Sequence, residues 1–236
     1  MEQIIIKREN WEKVARAVGE NQDIHFDDEI AKRFGFDSAV CPGVYLLALA
    51  ESEVDRRWLY RKPRIIKGKF RNPLYEGDVL CLERNDHLAL TKSNRDLVAR
   101  IDETDFPVQI KLSTPFNIIT EITPENLALF YEGIEARGEK VAVPYTFGFG
   151  SIIRSVLEVK KADFAVDSDK RVVLGGMTFS LCNPLKIGTL STKVSIVRKE
   201  NPKGILYRVF SDCYQNKERV VCGDASGWLR SKKAVA

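Results

Sequence analysis

The chain has 236 residues, 44% of them hydrophobic and 30% charged, an ordinary globular composition with room for one large domain or two small ones. Its net charge of +4 is mild, so neither nucleic acid nor an anionic membrane is expected as a partner, while small anionic ligands remain open. Two histidines and the absence of any C-x-x-C pair argue against a zinc site, so no metal is expected.

The apolar run at residues 4–6 is too short for a secretory core, and no segment approaches the roughly eighteen apolar residues of a membrane span. Cys41, Cys81, Cys182, Cys213 and Cys222 are scattered and odd in number, which reads as free thiols, mostly buried, in a reducing compartment. A cytoplasmic location is the expectation.

In chain order, Asn10 reads as a helix cap, with Trp11, Val14, Ala15 and Val18 at the spacing of one buried helical face. Gly19 ends that helix, and a polar loop carries Glu20 to His25. Asp27 and Asp28 open a second short helix, where their charge suits the positive end, and Gly35 stops it. Residues 44–60 are apolar all round in their first half and rich in helix formers, which predicts a buried central helix. A basic cluster follows between Arg56 and Lys69; it suits either a solvated face or phosphate contact, for which Arg61 and Arg64 are the candidates. Short apolar or alternating runs at 65–70, 79–83, 87–92, 97–101 and 108–112, separated by turn residues, predict strands, with His87 as an exposed structural residue.

The pattern then repeats. Asn72-Pro73-Leu74-Tyr75-Glu76-Gly77 recurs as Asn183-Pro184-Leu185-Lys186-Ile187-Gly188, and Glu9-Asn10 after Ile6 is echoed by Glu125-Asn126 after Ile122. Echoes in the same order predict two copies of one unit, 1–115 and 116–236. The second has a helix at 125–133 and a counterpart of the central helix at 151–157, but no histidine. Strands without regular alternation with helices argue for an α+β fold.

The chemistry concentrates between residues 19 and 50. An imidazole takes or gives a proton near neutrality, a carboxylate nearby can share a water with it, and a glycine at a helix start presents backbone N–H groups to a developing oxyanion. His25, Glu20 and Gly43 supply those three parts. The bare residues equally fit a hydrogen-bonded turn and a plain helix start.

The run Gly19-Glu20-Asn21-Gln22-Asp23-Ile24-His25, followed after five residues by Ala31, resembles the MaoC-like dehydratase and R-specific enoyl-CoA hydratase family, whose pattern is G-D-x-N-P-(aliphatic)-H. Residues 31–36 resemble the family's short helix ending in Gly-Phe, and Cys41-Pro42-Gly43 stands where the family has a small residue, His and Gly. Glu20 replaces the family's Asp, Gln22 its Asn and Asp23 its Pro, so two polar groups are each one methylene longer.

The resemblance implies a double hot dog, two antiparallel sheets each wrapped around a central helix. It also implies reversible hydration of trans-2-enoyl thioesters or dehydration of (R)-3-hydroxyacyl thioesters. Glu20 and His25 would then hold the water, Gln22 orient it, Gly43 polarise the thioester carbonyl and Tyr45 border the acyl chain. No metal or redox cofactor is implied; the partner is acyl-CoA or an acyl carrier protein, and the chain would be a monomer or a homodimer. An acyl-CoA thioesterase and a non-catalytic acyl-thioester binding protein are the competing expectations.

Overall fold

The computed structural model describes residues 2–53, 64–84, 88–104, 116–135, 143–163, 170–201 and 204–231. Arg61, His87, the strand expected at 108–112 and the continuation of the central helix beyond residue 53 lie outside these residues.

The chain opens with strand β1 (Glu2–Ile5) and helix α1 (Arg8–Val18). The helix buries Trp11, Val14, Ala15 and Val18, the face that its periodicity predicts, and ends at Gly19 in the left-handed conformation (φ 80°). Asn10 is not its cap. Lys7 occupies that position, and Asn10 lies within the first turn, where its amide donates to Glu135 Oε1 at 2.9 Å. A short polar side chain next to an apolar run marks a helix start only on average, and here a cross-unit hydrogen bond claims it.

Helix α2 (Asp28–Arg33) is capped by Asp27, which accepts from the Ile30 N–H at 2.9 Å. Helix α3 (Gly43–Glu53) is the buried central helix, with every residue from Val44 to Ala50 at most 5% exposed. Four strands follow: β2 (Arg64–Phe70), β3 (Val79–Arg84), β4 (Leu88–Lys92) and β5 (Leu97–Thr104).

The later residues retrace the path. Strand β6 (Phe116–Ile122) leads into helix α4 (Pro124–Gly133), which Thr123 and Asn126 close with a reciprocal capping box. A second core helix, α5 (Thr146–Asp163), precedes β7 (Lys170–Leu181), β8 (Gly188–Asn201), β9 (Gly204–Gln215) and β10 (Glu218–Ser231).

Among the described residues, ten strands form one antiparallel sheet in the order β1-β3-β4-β5-β2-β7-β10-β9-β8-β6. The second five mirror the first five about the β2–β7 pairing, where Ile66 faces Phe179 and Gly68 faces Met177. The fold is a double hot dog whose two half-sheets join edge to edge, so that neither half keeps an open edge at the junction. The Asn-Pro-Leu echo has the same structural job in both copies. Asn72 donates to the Leu97 carbonyl at 2.8 Å and Asn183 to the Arg219 carbonyl at 2.7 Å, at the start of β5 and of its counterpart β10.

The helices from both halves meet at close range. A Cβ on Gly133 would lie 2.6 Å from the Asn10 carbonyl oxygen, and one on Gly150 would lie 2.5 Å from Val18 Cβ, so α4 and α5 approach α1 only through glycine. Glu51, in the last turn of α3, accepts from the Tyr145 and Thr146 N–H groups at 2.7 and 3.0 Å and from the Thr146 hydroxyl at 2.6 Å. One carboxylate thus caps the start of α5 from the end of α3.

Candidate active site

The site is assembled by the chain leaving α1. The Glu20 N–H donates back to the Ala15 carbonyl at 2.8 Å, which turns the chain sharply after Gly19 and leaves Glu20 only 2% exposed. Its carboxylate Oε1 accepts from the Gln22 N–H at 3.0 Å. A single 3-10 turn, Asp23–His25, then places the imidazole.

His25 and the residue before it are held at three points. The His25 carbonyl accepts from the indole N–H of Trp11 at 3.0 Å, so the largest buried side chain of α1 fixes its backbone. Its Nδ1 lies 2.6 Å from the Val40 carbonyl oxygen. The Val40 N–H in turn donates to the Ile24 carbonyl at 2.9 Å. A carbonyl oxygen can only accept, so Nδ1 carries the proton and, in the neutral ring, Nε2 keeps its lone pair.

The segment that supplies Val40 is itself anchored. Asp28 Oδ1 accepts from the Ala39 N–H at 2.9 Å and from Arg8 at 3.0 Å, and Arg8 also donates to the Phe26 carbonyl. The Ala39 hydrogen bond first, and Arg8 after it, hold the Asp28 carboxyl below the usual range. The Cys41 N–H donates to the Leu74 carbonyl at 2.8 Å, and Gly43 then begins α3. As the first residue of that helix it has no carbonyl partner within it for its N–H.

Glu20, Gln22, His25 and Gly43 line one cavity of about 610 Å³. Its apolar wall draws on both halves of the chain, with Leu46 from α3, Ile153 from α5, Val209 from β9 and Trp228 from β10. Gln22 Oε1 is buried with no hydrogen-bond partner among the described residues, an acceptor open to a donor in the cavity. Cys41 also lines it, but burial pushes its thiol well up, so it enters as a small neutral group and not as a nucleophile.

One expectation changes, and another lies outside the described residues. Tyr45 is not among the residues that line the cavity; it is packed in the core at 1% exposure, and burial raises its hydroxyl. One residue past Val44 on an all-apolar helix, it faces the interior rather than the chamber. Arg64 begins β2, but its side chain, like the whole of Arg61, lies outside the described residues. Among the described residues the cation on the cavity is Arg71, an exposed side chain that sequence reasoning passed over. The available signal was its place beside Asn72-Pro73, the repeated turn that borders the cavity.

The sequence matches no family model and no curated protein. Solved structures do match over nearly the whole chain. A protein assigned as a MaoC domain dehydratase from Chloroflexus aurantiacus J-10-fl is 10% identical with a TM-score of 0.68, over 99% of this chain and 94% of that one. A conserved hypothetical protein of Mycobacterium tuberculosis with a double hot dog fold is 9% identical with a TM-score of 0.68, over 97% and 94%. A protein assigned as an oleoyl thioesterase from Lactobacillus plantarum is 9% identical with a TM-score of 0.58, over 99% and 95%. At these identities the likeness is one of fold: this chain has the architecture that MaoC-like dehydratases use, and its reaction has to be argued from the cavity.

Proposed function

We propose that the cavity binds an acyl thioester and that Glu20 and His25 interconvert trans-2-enoyl and (R)-3-hydroxyacyl groups by adding or removing water. The observation that carries the reading is the pinned imidazole: Nδ1 is committed to Val40, and the ring borders the same cavity as a buried carboxylate and a helix start. In the hydration direction a water sits between Glu20 and His25. The pair holds one transferable proton: its unprotonated member takes the water's proton as the oxygen bonds to the β-carbon, and its protonated member delivers a proton to the α-carbon, so the pair holds one proton before and after the step. The Gly43 N–H, with the positive end of α3 behind it, receives the negative charge that gathers on the thioester carbonyl oxygen. Gln22 Oε1 accepts from the water and orients it. Addition of water is not a redox reaction, so the reading invokes no redox cofactor.

On this reading the first unit, 1–115, carries the chemistry, and the second, 116–236, completes the scaffold and the acyl wall. The acyl group arrives on CoA or on a carrier protein, with Arg71 placed to meet its anionic portion.

The thioesterase alternative is favoured by one observation, the likeness to the protein assigned as an oleoyl thioesterase. The two separate in a single assay on trans-2-enoyl-CoA. Loss of enoyl absorbance with no free thiol supports hydration, and thiol release with the enoyl group intact supports hydrolysis.

A further inference from the structure

A second reactive cluster lies across the sheet from the cavity. Val221 of β10 faces Leu181, the last residue of β7, and Cys222 faces Ser180. Side chains alternate along a strand, and Leu181 and Val221 belong to the core, so Ser180, Cys182 and Cys222 share the opposite face. There the sulfurs of Cys182 and Cys222 are 4.0 Å apart, Cys182 partly exposed and Cys222 buried. Neither lines the cavity.

The surroundings differentiate the two thiols. Asp212, opposite Cys222 on β9, accepts from Arg219 at 2.7 Å and from the Tyr214 hydroxyl at 3.1 Å, which brings the guanidinium to the pair. The contact with Cys222 first, and Arg219 after it, lower the Cys182 thiol. Cys222 is raised by that same contact and by burial. Cys182, the partly exposed sulfur, is the one that a dissolved disulfide reaches, and Cys222 is buried behind it. Cys41 and Cys213, by contrast, are buried thiols that burial pushes up.

We propose that Cys182 and Cys222 form a thiol–disulfide couple in which Cys182 attacks a small-molecule disulfide such as oxidised glutathione and Cys222 resolves the product. In the first step the Cys182 thiolate bonds to one glutathione sulfur, the glutathione S–S bond breaks, and one glutathione thiolate leaves. In the second step Cys222 gives up its proton and attacks the Cys182 sulfur, and the second glutathione leaves. Two protein thiols are oxidised, one glutathione disulfide is reduced to two thiols, and the two thiol protons pass to them. The sulfurs must close from 4.0 Å to about 2.0 Å. That movement falls to Cys182, the first residue past β7, because Cys222 sits within the β10 ladder.

The test is to incubate the native chain with oxidised glutathione at neutral pH, trap the remaining thiols by alkylation, and map all five cysteines by peptide mass spectrometry. A Cys182–Cys222 linked peptide is expected, formed faster by on the order of tenfold or more than modification of Cys41, Cys81 or Cys213, and reversed by dithiothreitol. In Cys222→Ala, Cys182 is expected to stop at the glutathione adduct. Modification of Cys182 no faster than of Cys41 or Cys213, or a wild-type product that stays at the mixed disulfide, overturns the proposal. Both of those readouts come from the unsubstituted protein, so they do not depend on how the variant folds.

Discussion

The Nδ1 of His25 and the carbonyl oxygen of Val40, fifteen residues apart in sequence, meet at 2.6 Å and set the tautomer of an imidazole that lines the cavity. The same loop returns a second bond from the Val40 N–H to Ile24, so ring and backbone are fixed together. Nitrogen-15 NMR of the neutral ring is expected to show the proton on Nδ1. A neutral His25 protonated on Nε2 would contradict the acid–base assignment directly.

Gln22 Oε1 is buried with no partner among the described residues, which costs stability until a donor arrives. Gln22→Leu is therefore expected to hold or raise the melting temperature while lowering turnover by about tenfold, the worth of one hydrogen bond near the top of its usual range. A variant that loses stability and keeps full activity removes Gln22 from the site.

Glu51 ties α3 to α5 through three hydrogen bonds. Glu51→Ala leaves the start of α5 uncapped and is expected to cost about 1–2 kcal/mol in a denaturant titration. Burial, acting against the bonds from Thr146 and Tyr145, raises the Glu51 carboxyl above the usual carboxylate range. The folded protein therefore binds more protons than the unfolded chain between the ordinary value and the raised one, and this group's contribution to stability falls as pH rises through that window. Glu51→Gln is expected to remove that part of the pH dependence; an unchanged profile would assign it elsewhere.

Gly150 admits Val18 with no space for a methyl group. Gly150→Ala is expected to destabilise by about 1–3 kcal/mol through overpacking, and it moves α5 away from the residues just before Glu20. Turnover should fall along with the melting temperature. A neutral substitution would mean that the two helices pack less closely than described.

Much of the frame is readable in local sequence because local rules dictate it. The face of α1, the stop at Gly19, the all-apolar α3 and the Asn-Pro-Leu turns each follow from residue spacing. The joining of β2 to β7 was not readable, since it pairs residues more than a hundred positions apart and leaves no local signature. Strand β6 alternates buried and exposed residues from 117 to 122, a period-two signal present in the sequence but hidden by its place at the expected unit boundary. Within the site, Glu20, Gln22, His25 and Gly43 share a motif-like order, whereas the anchoring of His25 by Trp11 and Val40 depends on where distant backbone passes. Tyr45 lies in the core and Arg71 on the cavity for the same reason: which side of an element meets the cavity is decided by packing.

The measurement that bears most directly on the proposed chemistry is hydration of crotonyl-CoA and a longer trans-2-enoyl-CoA by the wild type beside His25→Ala and Glu20→Gln. The account predicts turnover by the wild type and a fall of roughly 100-fold or more in each variant, with the fold retained by circular dichroism. A wild type that binds acyl-CoA without turnover, or variants that keep wild-type rates, would contradict it.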